Sequence, residues 1–342
     1  MKTVRSRRRV LRLAAGAGLG CAALSLCFGG PRAAAVRSVT TRLLCSGPAG
    51  SIPDLIARTI GEQLAASNAA SNAASNAAIV VENRPGAAGQ ISVQALKAAP
   101  ADGSTLLLAQ GAIATVYPFV YSRLAYDPLL DLQPVSLACE MSLALAVGPA
   151  VPHDVATLAD FLAWLRADPA RANIGSPGAG TLPHLLEAML FREAGVAWQH
   201  IAYSGGPPAV TDLLGGRIAA LVLPEGLLRQ HHATGRARVL ATSGASRSTY
   251  LPDAPCFAEL GQPGLVMKEW FAFFAAATVP KPRIEHASAE LRDAIAHPKV
   301  SAVFAEAGMS AASSSPAALA VRISAEQRFW QSVIRSHGIH AD

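Results

Sequence analysis

Between Gly175 and His184 the sequence reads GSPGAGTLPH: three glycines and two hydroxyl side chains directly ahead of an apolar, helix-like run, LLEAMLF. Such a loop brings bare backbone N–H groups close to something negative: a nucleotide phosphate, a reacting oxyanion or a carboxylate that is simply held. A phosphate loop of the G-x-x-x-x-G-K-[ST] type needs a lysine, but Gly180 is followed by Thr181, Leu182 and Pro183. The G-x-G-x-x-G order of a dinucleotide turn is also missing. Ser176 has Ile174 and not glycine two residues before it, so there is no nucleophile elbow. His184 opens H-L-L-E, without the second histidine of a zinc helix, and the adjacent His231 and His232 diverge on a helix.

A held carboxylate fits best. The first N–H groups of a helix have no internal partner, and the macrodipole adds about half a positive charge there. Glycine allows close approach, and Ser176 or Thr181 can add a hydroxyl. A tight turn with a hydroxyl cap is the alternative for this loop taken alone. Near the N-terminal end, RLLCSGPAGSIPDLIARTI repeats the plan of strand, small-residue loop and helix. There Ser51 is expected to cap, with Pro53 and Asp54 in the first turn. Asp54 is expected to orient the loop and not to touch an anion, because like charges repel. Two anion-competent helix ends imply a pocket clamped from both sides.

The elements that must position these loops recur along the chain. IVVEN leads through RPGAAG into QISVQALKAA, STLLLAQ into GAIATVYPFVY, and ANIGS through PGAGT into LPHLLEAMLFREAG. WQHIAY leads through SGGPP into AVTDLLGG, RIAALVLP into EGLLRQHHATG, and RVLATS follows. Apolar runs that do not alternate mark strands buried on both faces, so the fold class is α/β with mainly parallel sheets flanked by helices. Ligands of such sheets bind at the carboxyl ends of strands, where all the glycine-rich loops fall. The 342 residues suit two lobes of ~150 each.

The net charge of +6 points to nucleic acid until it is located. Residues 1–35 hold seven basic and no acidic side chains, which leaves 22 of the 29 basic residues against all 23 acidic ones. The nucleic-acid reading loses its support. Residues 1–35 read as an export signal, with a basic start, an apolar stretch and RAAA for cleavage near Ala35. SRRRVLRL resembles a twin-arginine signal, and a general secretory signal is the other reading. No later segment offers ~20 uninterrupted apolar residues, so the mature chain is expected to be soluble and periplasmic. Cys45, Cys139 and Cys256 remain after cleavage without C-x-x-C spacing, and three buried free thiols is the favoured reading. SNAASNAASNAA, residues 67–78, reads as a surface expansion of a helix end and its loop.

PAGSIPDLIAR, VVENRPGAAGQ, APADGSTLLLA, YDPLLDLQPVSL, IGSPGAGTLPHLLEAM, IAYSGGPPAVTDLLGG and SRSTYLPDAPCFAELGQPGL together resemble the solute-binding proteins of tripartite tricarboxylate transporters, the Bug family, in order from about Val39 to Ile339. The resemblance implies a two-lobed periplasmic binding protein of the Venus-flytrap kind, type II-like. It further implies a monomer without a cofactor, and a membrane permease as partner. On this chain the first gripping loop corresponds to Pro48, Ala49, Gly50, Ser51 and Asp54. The second corresponds to Ser176, Gly178, Ala179, Gly180, Thr181 and His184. The chain departs from the family at Gly50–Ser51 (often two glycines), Thr181 (often Ser), Ser204 (a customary lysine), Ala219 (often Asp) and Cys256 (usually Thr).

On this plan lobe one is residues 36–138 plus the return 256–342, and lobe two is 139–255. Cys139 and Cys256 then fall near the crossings, where a disulfide could restrain the hinge. Gln110, Tyr203, Pro207, Glu225 and Trp270 should face the cleft, although Trp270, within WFAFFAAA, reads equally as core. Glu225 would repel a second ligand carboxylate or pair with an amine, which favours a monocarboxylate or an amino acid. Two other functions compete: a ligand sensor partnered with a receptor kinase, and a hydrolase using Ser176 and His184, for which no nucleophile–base–orienter set is visible.

Overall fold

The computed structural model describes residues 40–70 and 78–341. The expected export signal lies outside the described residues, as do residues 71–77 of the SNAA repeat. The first SNAA unit, 67–70, continues the helix Ile52–Ala70, as alanine favours.

Among the described residues ten strands form the sheet: β1 (Thr41–Cys45), β2 (Ile79–Asn83), β3 (Thr105–Gln110), β4 (Leu132–Val147), β5 (Asn173–Ser176), β6 (Gln199–Ala202), β7 (Ala220–Pro224), β8 (Arg238–Thr242), β9 (Lys268–Ala276) and β10 (Ser310–Ala311). Two parallel triplets carry the glycine-rich loops. In one, β1 lies between β2 and β3; in the other, β5 lies between β6 and β7. Their central residues are apolar and buried, including Leu43, Leu44, Leu106 to Ala109, Ile174 and Ala220 to Leu223. Helices therefore pack on both faces.

The triplets are joined by antiparallel strands. β9 pairs with β3 on one side and β4 on the other. β4, 16 residues long, changes partners along its length. Its pairing with β9 runs from Leu132 to Ser142, and its pairing with β7 from Leu143 to Val147. β10 and β8 cover its other edge in the two stretches. After β8 the chain stays beside that half: Ser243 N donates to Leu143 O, Met267 N donates to Ser243 O, and Cys256 bridges to Thr242. Register shifts at Pro134/Ser136, Leu137/Cys139 and Leu145/Ala146 let one strand serve two differently twisted surroundings.

The three cysteines among the described residues are free and buried, which contradicts the bridge considered between Cys139 and Cys256. Cys139 Sγ lies 4.0 Å from Met309 Sδ, whereas Cys256 Sγ lies 3.4 Å from Glu259 Oε1 at the end of β8. Burial pushes the Cys45 thiol up to about 11 and also raises Cys139, so both act as small apolar side chains. No described helix is long and apolar enough to cross a membrane.

Candidate ligand-binding site

The loops after β1 and β5 are built alike. Pro48-Ala49-Gly50-Ser51-Ile52-Pro53-Asp54 enters the helix Ile52–Ala70, and Gly178-Ala179-Gly180-Thr181-Leu182-Pro183-His184 enters the helix Leu182–Glu193. Gly50 and Gly180 both take left-handed backbone, with φ 78° and 73°, which only glycine adopts without strain. The next hydroxyl donates backward in each: Ser51 Oγ to Pro48 O at 2.5 Å and Thr181 Oγ1 to Gly178 O at 2.7 Å. Ser51 thus occupies the cap position but does not spend its hydroxyl on the helix. Proline stands second in both helices, where its missing N–H costs nothing.

The third helical residue closes each loop. Gly50 N donates to Asp54 Oδ2 at 2.9 Å, and Gly180 N donates to His184 Nδ1 at 3.0 Å. Asp54 also accepts from Arg58 Nε and Asn83 Nδ2, both at 2.9 Å. Burial opposes its ionisation, but the bonds from Arg58, Gly50 and Asn83 outweigh it and hold the carboxyl below the usual range. Asp54 orients its loop and is not part of the cavity wall. His184 has the same task with a neutral ring.

Behind His184 the His200 ring stacks at 3.9 Å, and His200 Nε2 lies 2.7 Å from Ser176 Oγ. Burial, reinforced by His200, pushes His184 down to about 3, and burial alone takes His200 to about 4. Buried Glu187 is shifted the other way, so its approach to His200 at 4.0 Å joins two neutral groups. Ser176 is fully buried, and its partner is His200 and not His184. That removes the geometric basis of the hydrolase reading.

Both loops face a cavity of about 410 Å³. Ser51, Gln110, Gly178, Ala179, Thr181 and Tyr203 of the expected site residues line it. Ala49, Gly50, Asp54, Ser176, Gly180, His184, Pro207 and Glu225 do not; most of them form the loops from behind. The helix Gly206–Leu214 presents its own start through Ser204, Gly205 and Gly206. Tyr203 offers its ring, because its hydroxyl is held by Asp212 Oδ2 at 2.9 Å; burial, then Asp212, pushes it up to about 12.

Gln110 lies on the wall but is fully used. Its Nε2 donates to Ala88 O at 2.6 Å and to Tyr117 OH at 3.0 Å, and its Oε1 accepts from Ser46 Oγ at 3.0 Å. Tyr117 OH adds a bond to Ala88 O at 2.7 Å. Together they hold Ala87 and Ala88 at φ 46° and 50°, left-handed values costly for alanine. This turn of RPGAAG, ahead of the helix Gln90–Lys97, supplies Gly86 to Gly89 to the wall. Sequence reasoning placed it in a loop but not in the site; its position at the carboxyl end of β2 was the available signal.

Two expected cleft residues lie elsewhere. Trp270 is 1% exposed and packs under Gly111, and its Nε1 donates to Glu326 at 3.0 Å. Alternation along β9 turns its neighbours Glu269 and Phe271 to the cavity instead. Glu225 starts the helix Gly226–Ala233, its N–H on Ser142 O. Glu269 is the acidic residue of the wall, and sequence reasoning missed it because its strand was read only as an apolar run. Among the described residues no cluster of three His, Cys, Asp or Glu is placed to hold a metal ion.

Residues 62–339 match the model of the tripartite tricarboxylate transporter family receptor. The protein BugT of Bordetella pertussis is 32% identical over 292 residues, 85% of this chain and 87% of that one. A solved R. palustris protein with adipate is 25% identical, with a TM-score of 0.81 over 88% of this chain and 98% of that one. The periplasmic binding protein BugD, 23% identical, shares the fold with a TM-score of 0.79 over 88% and 98%. Family and fold are those of two-lobed periplasmic solute-binding proteins, which are not enzymes. With four-fifths of its length under the family model, the chain belongs to the receptors of the tripartite tricarboxylate transporter family.

Proposed function

We propose that the chain captures a small carboxylate between the helix starts at Ile52, Leu182 and Gly206 and hands it to a membrane permease. The observation that carries this is the wall itself: three helix N-termini meet on a cavity lined by no lysine, arginine or histidine. The N–H groups of Ile52 and Leu182 have no intrahelical acceptor, and the helix dipoles favour an anion beside them. The adipate held by the R. palustris relative is a ligand of this chemistry.

On this reading the two lobes meet where β4 changes partners, at Ser142–Leu143, and along the return between Ser243 and Met267. Ligand contacts from both sides favour the closed arrangement. The receptor acts in the periplasm, exported by residues 1–35 through a twin-arginine or general secretory route with cleavage near Ala35.

The test is a thermal-shift screen of residues 36–342 against mono-, di- and tricarboxylates, aromatic acids and amino acids. A ligand of the native state at a hundredfold excess over Kd adds ~2.7 kcal/mol of stability. A raised midpoint for one class of carboxylate is expected. A flat response to every carboxylate, together with a shift for sugars and polyols screened alongside them, sinks the carboxylate reading.

A further inference from the structure

Glu269 sits on β9 at the cavity wall, 4% exposed, and its Oε1 has no hydrogen-bond partner. No cation answers it from the protein. The nearby Arg322 is already held by Glu140 at 2.5 Å and Glu326 at 2.8 Å, on the far face of β9 where Trp270 lies. The other titratable groups around Glu269 are Glu326, Tyr117 and Cys139, none of them a counter-charge. A buried carboxyl oxygen without a partner, on a residue of the cavity wall, is costly unless something in the ligand meets that carboxyl group.

Resting on the carboxylate reading above, we propose that Glu269 is the specificity-determining residue of the cavity and selects carboxylates that also carry a cationic amine. The ligand carboxylate lies on the helix starts at Ile52 and Leu182, and its ammonium group meets the carboxyl group of Glu269. The charges then pair inside the cavity: an anion with helix dipoles and a cation with the carboxylate of Glu269. A ligand with a second carboxylate in place of the amine puts two acids together, with no basic side chain on the wall to separate them. The pairing with an amine that the sequence suggested for Glu225 thus passes to Glu269.

Burial first and then Glu326 push Glu269 up to about 8, so at pH 7 it is mostly protonated. An ammonium ligand favours the carboxylate, and the proton of Glu269 leaves to the buffer as the ligand binds. Binding therefore tightens as pH rises toward 8, and at pH 7 it releases about one proton per ligand. A neutral or dianionic partner at that position gives no such release.

The experiment is isothermal titration of residues 36–342 at pH 7, in buffers of differing ionisation enthalpy. The probes are hexanoate, adipate and the aminohexanoates bearing the amine at each carbon from C2 to C6. At least one aminohexanoate is expected to bind roughly tenfold or more tighter than hexanoate and adipate, as a charge-assisted hydrogen bond implies, and to release a proton. E269Q is expected to lose both the preference and the release. Tighter binding of adipate or hexanoate than of every aminohexanoate overturns the assignment while leaving the carboxylate reading intact. So does an amine preference without proton release, which is read on the wild-type chain and needs no variant. Silence from all the probes, hexanoate and adipate included, counts against the carboxylate reading as well as this one.

Discussion

At the scale of single residues, the site depends on groups that never reach the ligand. Gln110 is spent on Ala88 O, Tyr117 OH and Ser46 Oγ, so Gln110→Ala should free a strained turn and leave buried polar atoms unpaired. The expected cost is about 1–3 kcal/mol in urea unfolding, with weaker ligand binding besides. His184 and His200 stay neutral in the fold at values of about 3 and about 4, while an unfolded histidine titrates near 6.5. Between these values the unfolded chain binds protons that the folded chain refuses. Stability is therefore full above pH 6.5 and falls as pH drops toward 4, by up to about 1.4 kcal/mol per pH unit for each ring. Melting from pH 7 to 4.5 should show the fall, and a His200→Gln variant should flatten it. Glu269, raised to about 8, acts in the opposite sense, lowering stability as pH climbs from about 4.5 to 8.

At the scale of elements, the two halves approach each other through loops that have no room to spare. Gly205 has φ 127°, and a Cβ there would lie 3.3 Å from the Pro48 ring. Gly205→Ala should wedge the loop after β6 away from the loop after β1 and weaken ligand binding roughly tenfold. An unchanged Kd by titration, in a variant that still melts cooperatively, refutes this closeness. The elements were also where the sequence was most informative. The parallel triplets were legible because their strands are short apolar runs followed by glycine, and the loops after β1 and β5 because their residue types recur. β4 and β9 were not legible: LQPVSLACEMSLALAV and KEWFAFFAA carry no turn signal at the point where pairing changes. Glu269 was lost with β9, since only pairing register tells which residues of an apolar run turn toward the cavity. Asp54 reads as a loop support because a carboxylate in a helix's first turn has N–H donors close by, and Gly50 N is such a donor. His184, its counterpart, was taken for a ligand contact because an imidazole suits either task.

At the scale of the whole molecule, β4 belongs to both halves, so neither half has a complete sheet without the other. Residues 36–342 should unfold in one transition, with calorimetric and van't Hoff enthalpies in agreement; two resolved transitions would show halves of independent stability. The order of synthesis gives this arrangement a further meaning. β3 is made by Gln110, yet its neighbour on the sheet is β9, which ends at Ala276. A nascent chain thus carries its first three strands, with one long edge unpaired, until some 160 further residues have left the ribosome. For that interval the exposed edge invites pairing with other chains, so the hazard of early aggregation is written into where the ninth strand falls.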